Sequence, residues 1–175
     1  IIVFIIHRQV WVYQSTTGGW GGINTQNYIL TPGQWQYIKV ERIAGTNTIK
    51  IFVDNVECAT GNLPTTPGGL TPLRSTDSPI TVGSWNVVSD NPFEGSLAGF
   101  KITKNGNTIF ALDHSGAPEI VDSSNTFNCI IPGGSNTSGA TISDTQAKFG
   151  NSFYFNGGAH NTANNSIIVV ANTSG

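Results

Sequence analysis

Between Trp35 and Asn55 the chain reads WQYIKVERIAGTNTIKIFVDN, and this stretch leaves little choice of fold. Residues 35–43 and 49–54 alternate in character, and between them lie Gly45 and Asn47, which suit a tight reversal. At period two, Ile49, Ile51 and Val53 fall on one face, with Lys50, Phe52 and Asp54 on the other. The stretch predicts a half-buried antiparallel hairpin, with Trp35 as a large core anchor at its start.

The rest of the chain repeats this style. Residues 1–6, IIVFII, are apolar at every position and predict a central strand buried on both faces. QVWVY at 9–13 continues it after an interruption at His7-Arg8, either as a second strand or as the far half of a bent one. Residues 16–22 read as a turn carrying Trp20, and 27–30 as a short strand broken by Pro32-Gly33. Pro64, Pro67 and Pro72 with Gly68-Gly69 make 62–78 a long irregular loop. Strand character resumes at 80–85, and 96–104 and 108–112 form a hairpin about Asn105-Gly106. Farther on, 122–125 is a polar turn and 132–139 a loop rich in Gly, Ser and Asn. Phe153 and Phe155 share a face with Tyr154 opposite, and 167–170 is a last short strand. A single helical turn is placed at 144–148.

Such short segments, spaced by 21 Gly and 8 Pro, indicate an all-β sandwich or barrel. A length of 175 residues fits one domain. Only 10% of residues are charged, against roughly 25% in ordinary globular chains. Asn, Thr, Ser and Gly must supply the polar surface, a composition common in extracellular and virion-surface β proteins.

The net charge of −2 and eight scattered Lys and Arg leave no electrostatic footprint for nucleic acid. No apolar run approaches the ~20 residues of a membrane span. The chain begins with Ile, contains no Met, and lacks a basic start and a small-residue cleavage site. It therefore reads as a processed product or an excerpt of a longer chain. Cys58 and Cys129 match no zinc or CxxC spacing. They either close a long loop as one disulfide or pack as two free thiols, and the second is the simpler reading.

Reactive chemistry finds little support. Asp113-His114-Ser115 holds the residue types of a catalytic triad, but neighbours on a strand point to opposite faces and cannot relay a proton. His7 and His160 have no sequence partner, and the glycines at 18–22 precede no phosphate-binding helix. Asn136, Asn164 and Asn172 begin N-x-Ser/Thr sequons, as chance alone produces in so Asn-rich a chain. Carbohydrate binding fits better, because sugars dock apolar faces on exposed aromatics while amides and hydroxyls bond their hydroxyl groups. Trp20, Trp85 and Asn86 are the candidate contacts, since both tryptophans sit among Gly, Ser and Asn. The alternative for Trp20 is a plug over the sandwich edge or a subunit contact. Trp11 and Trp35, lying in strands, are expected in the core.

Several segments, in order, resemble the concanavalin A-like jelly roll in its laminin G-like form. WQYIKVER at 35–42 resembles that family's strand running from Trp to Arg, and IFVDN at 51–55 its YVDG hairpin, with Asn55 in place of Gly. ITVG at 80–83 resembles its IxIG strand, and FEGSLAGFKITK at 93–104 its late FxGxIDxxRIxxG strand, with Ala98 where an acidic residue is usual. The resemblance implies a two-sheet antiparallel β-sandwich. Residues 1–107 then correspond to the C-terminal two-thirds of such a domain. Residues 108–175 resemble its beginning, and either complete the same sandwich or start the next repeat; a window cut from a repeat-bearing chain is the favoured alternative.

Glucanases of that superfamily set an acid and a nucleophile ~5 Å apart on alternating positions of one strand. No E-x-D-x-x-E pattern occurs here, and Asp54, Glu57, Asp113 and Glu119 read as solvated carboxylates, so the expected protein is not an enzyme. Calcium, bound by many relatives, is the cofactor the resemblance brings in. Asp122, Ser123 and Asn125 are the candidate oxygen donors for it, with an Asx turn as the favoured role. The expected protein is a virion-surface module of a tail fibre, tailspike or capsid appendage that contacts host glycans, further copies of itself or other virion proteins. A secreted bacterial adhesin module and an accessory domain of a glycoside hydrolase are the alternatives.

Overall fold

The hairpin expected around Gly45 forms in the computed structural model, which describes residues 2–16, 19–63, 80–82, 93–113, 121–122, 128–130, 141–143, 152–156 and 168–171. The chain divides into two compact units, residues 1–76 and 77–175.

Described strands of the first unit are β1 (Ile2–Ile6), β2 (Gln9–Thr16), β3 (Gly19–Asn24), β4 (Ile38–Arg42), β5 (Thr48–Val53) and β6 (Val56–Asn62). They make two antiparallel sheets, ordered β1-β2-β3 and β4-β5-β6. Val53 stands opposite Ile38 and Ile49 opposite Arg42, while Gly45 turns the chain at φ +71°. Ile49, Ile51 and Val53 are buried, as their spacing predicts. With Val10 and Val12 of β2 and Leu63 they form one hydrophobic core, against which Ile23, Ile29, Leu30, Ile38 and Val40 pack. Both sheets therefore contribute a face to the same core.

Two-residue turns set the registers. Asp54-Asn55 joins β5 to β6 with φ of +50° and +67°, the positive pair that a tight hairpin of type I′ requires. Asp54 also ties this turn to the start of β4: its Oδ1 accepts from the Tyr37 amide at 2.8 Å, and its own N–H donates to the Tyr37 carbonyl at 2.8 Å. His7-Arg8 makes a turn of the same kind, with φ of +50° and +59°. Arg8 is disfavoured in that region, at about 1–2 kcal/mol, and neither residue advertises a turn. Tertiary contacts hold it: the Arg8 carbonyl accepts from Leu30 N–H at 3.1 Å, and its guanidinium lies 5.2 Å from the centre of the Tyr28 ring.

That turn overturns the reading of residues 1–6 as a central strand. β1 folds back on β2 as the outer strand of its sheet, leaving Val3 48% and Ile5 41% exposed. The core is built from β2 and β5, and no residue of β1 belongs to it. Two further readings are corrected. Residues 19–24 form strand β3 rather than a turn, and 27–30 form a turn with Tyr28 at φ +60° rather than a strand. Trp35 precedes β4 and is half-buried, outside the core cluster.

Buried polar groups fasten β2 to the end of β3. Thr25 Oγ1 accepts from Val10 N–H at 3.1 Å, Thr25 N–H donates to the Val10 carbonyl at 3.0 Å, and Gln9 Nε2 donates to the Thr25 carbonyl at 2.8 Å. Gln14 is different. It is 1% exposed and its Nε2 has no hydrogen-bond partner. An unpaired buried donor costs about 1–3 kcal/mol, so Gln14→Met, which keeps the length and removes the amide, is expected to stabilise the fold by about 1 kcal/mol. A urea midpoint that falls instead would show that the amide is paired.

In the second unit the described strands are β7 (Ile80–Val82), β8 (Glu94–Leu97), β9 (Phe100–Lys104), β10 (Asn107–Asp113), β11 (Val121–Asp122), β12 (Asn128–Ile130), β13 (Thr141–Ser143), β14 (Ser152–Asn156) and β15 (Ile168–Ala171). They form three antiparallel sheets, β11-β10-β9, β12-β15-β7 and β13-β14-β8. Asn105-Gly106 makes the expected hairpin turn, at φ +52° and +80°. The single strand expected over 96–104 is two strands: Gly99, at φ +67°, breaks it, sending β8 to pair with β14 and β9 with β10. Phe110 is fully buried and meets Phe100 edge-on at 6.0 Å. In the last third, β14 pairs with β8 and β15 with β7.

Among the described residues every regular element is a strand, and this part of the protein is all-β with several antiparallel sheets. No helix there is long and apolar enough to cross a membrane. The helical turn at 144–148, the loop at 132–139 and most of the loop at 62–78 lie outside the described residues.

Candidate functional site

Residues directly opposite each other in antiparallel strands share a face. In the β1-β2-β3 sheet Phe4 pairs with Trp11, Trp11 with Asn24, Tyr13 with Gly22 and Ser15 with Trp20. Val10 and Val12 point into the core, so these residues occupy the opposite face. Phe4, Trp11 and Tyr13 form a mutual cluster, with ring centres 5.9–6.1 Å apart and planes within 14° of one another. Those separations fall in the range of offset-stacked aromatic pairs. At the far end of the face Trp20 is 62% exposed.

Local sequence explains the arrangement. QVWVY alternates two valines with two aromatics, so a strand must put one pair inside and the other outside. Gly22 leaves room for the outer pair: a Cβ there would lie 2.4 Å from the Val12 carbonyl oxygen and 3.1 Å from the Tyr13 ring. Trp11 Nε1 donates to Gln9 Oε1 at 3.1 Å, which fixes the indole on the face.

Electrostatics distinguishes the two outer faces of this unit. The aromatic face, made of Phe4, Gln9, Trp11, Tyr13, Ser15, Trp20, Gly22 and Asn24, carries no ionisable charge near neutral pH. On β4-β5-β6, Lys39 lies 3.2 Å from Glu41 and 4.5 Å from the Phe52 ring centre, and Lys50 lies 2.7 Å from Glu57. Charges on that side are matched within the molecule. The aromatic face suits a neutral ligand with apolar surfaces and hydroxyl groups.

Of the residues singled out from the sequence, Trp20 stands on this face. Trp85, Asn86 and Asn125 lie outside the described residues. Asp122 is in β11, its backbone opposite Leu112. Among the described residues no three His, Cys, Asp or Glu side chains gather as a metal site would require. Asp54 and Glu57 serve the turn and the ion pair already described. His114, Glu119, His160 and the three sequon asparagines lie outside the described residues. Cys58 is a free thiol, half-buried against the core.

Trp11 corrects the expectation of a core residue, and Phe4 and Tyr13 were not among the candidates at all. Their signal was the QVWVY alternation, but period two does not say which face is inside. The core on β5 is aliphatic, and the valines of β2 complement it.

No protein-family model, curated protein or solved structure matches this chain. The functional reading therefore rests on the aromatic face and its neutral surroundings.

Proposed function

We propose that this protein is a non-enzymatic glycan-binding module that uses the outer face of β1-β2-β3. The observation that carries the proposal is the uncharged aromatic face, where three clustered rings and the exposed Trp20 stand with Ser15 and Asn24. Aromatic faces take the apolar side of a sugar ring, and neighbouring amides and hydroxyls bond its hydroxyl groups. The proposal includes a concanavalin A-like jelly roll, supported by two antiparallel sheets sharing one core in the first unit. It includes a place on the virion surface, in a tail fibre, tailspike or capsid appendage, supported by low charge and turn-rich β structure.

A glycan array followed by titration with the best ligand tests this. Trp20→Ala should weaken binding about tenfold or more, as loss of an exposed aromatic anchor does, and leave the unfolding temperature unchanged. Trp85→Ala and Asn86→Ala, measured in parallel, test whether Trp85 and Asn86 contribute. Absence of any glycan ligand, or binding untouched by Trp20→Ala, removes the proposal.

A further inference from the structure

Among the described residues β1 has a neighbouring strand on one side only, and we propose that its other edge pairs antiparallel with β1 of a second copy of this chain about a two-fold axis at Phe4. The residues that flank a two-residue hairpin turn form a hydrogen-bonded pair, and bonded and non-bonded pairs then alternate along the ladder. Ile6 and Gln9 flank the His7-Arg8 turn, so Phe4–Trp11 and Ile2–Tyr13 are also bonded pairs. Val3 and Ile5 fall at the non-bonded positions, and their N–H and C=O groups point away from β2. Val10, opposite Ile5, confirms the phase, because its N–H and C=O are engaged by Thr25 on the β3 side.

The outward backbone groups of β1 thus belong to two residues whose side chains are 48% and 41% exposed. IVFII carries no charge, proline or bulge of the kind that protects an edge from pairing. Its self-complementarity identifies the occupant. In an antiparallel pair centred on Phe4, Val3 of one copy meets Ile5 of the other and exchanges both backbone bonds with it, while Ile2 meets Ile6. Every cross-strand pair is then apolar, and the contact is isologous, as two-fold symmetry demands. Charge selects the same arrangement. The two Arg8 turns stand at opposite ends of the seam, about 27 Å apart at ~3.4 Å per residue, beyond the screening length at physiological salt. A parallel pairing would set them side by side. Because paired residues share a face, the aromatic patches of both copies would join in one sheet.

Sedimentation equilibrium of the full chain tests the proposal, with Val3→Lys and Ile5→Pro as variants. Both side chains are substantially exposed and the Ile5 N–H makes no bond to β2, so far-UV circular dichroism should stay unchanged. The wild-type chain should show a monomer–dimer equilibrium that each variant weakens about tenfold or more, as a charge or proline on a paired edge does. Amide exchange supplies an independent reading: protection at Val3 and Ile5 should rise with protein concentration. A wild-type chain still monomeric at roughly 1 mM, a dimer indifferent to both variants, or association only with a different protein would each overturn it.

Discussion

Alanine at position 51 should cost the first unit about 2–5 kcal/mol, the range for truncating a fully buried aliphatic side chain. Ile51 has no exposed surface and lies at the middle of β5, the central strand of its sheet. It shares the core with Val10 and Val12 of the other sheet, so the lost atoms leave a void between two layers. Both layers are pinned by backbone hydrogen bonding and cannot collapse into that void, which places the cost toward the upper part of the range. For a unit of this size the loss corresponds to a drop of about 10 °C or more in unfolding temperature. Thermal unfolding followed by tryptophan fluorescence measures it, since Trp11, Trp20 and Trp35 all lie in this unit. A change below 1 kcal/mol would mean that Ile51 does not bridge the two sheets.

The second large effect is expected from Gly22→Ala. The added methyl would fall 2.4 Å from the Val12 carbonyl oxygen, and this atom belongs to the backbone of the neighbouring strand. A flexible side chain could swing aside; a carbonyl held in a ladder can move only if the β2–β3 pairing moves with it. Forced overpacking of this kind costs about 1–3 kcal/mol. The same methyl would press on the Tyr13 ring, so stability and glycan binding should fall together. Gly22→Ala and Trp20→Ala therefore separate two causes of lost binding. The first should lower the unfolding temperature and displace the aromatic cluster. The second should lower affinity alone. Full stability in Gly22→Ala would refute the close approach of β3 to β2.

How much of this was legible depended on where each determinant lies along the chain. The β4–β5 hairpin could be read residue by residue, because alternation, Gly45 and the buried trio Ile49, Ile51 and Val53 are local features. Asp54-Asn55 and Asn105-Gly106 were equally plain, since their residues tolerate positive φ. The His7-Arg8 turn was hidden for the opposite reason. Its strain is held by Leu30 and Tyr28, some twenty residues downstream, and a local reading of apolar residues before it pointed to a buried strand instead of an edge. Likewise Gly99 divides a segment whose strand character is continuous in sequence, because β8 and β9 find partners in different sheets.

The candidate site shows the same division. An exposed Trp20 is one of the two readings its glycine neighbours allow; it is exposed, and its setting is a strand and not a turn. Phe4, Trp11 and Tyr13 could be placed together only once the tight turn at His7-Arg8 brought Phe4 opposite Trp11.

What the amino-acid order determined by itself was the kind of element: short alternating strands, their turns, and which residues share a face. Those properties follow from steric limits on neighbouring residues and need no distant partner. Tertiary structure decided which face is inside, which strand ends at an edge, and which aromatics meet. Each of those depends on a second sheet or a distant backbone group, and burial is a relation between segments that no single segment contains.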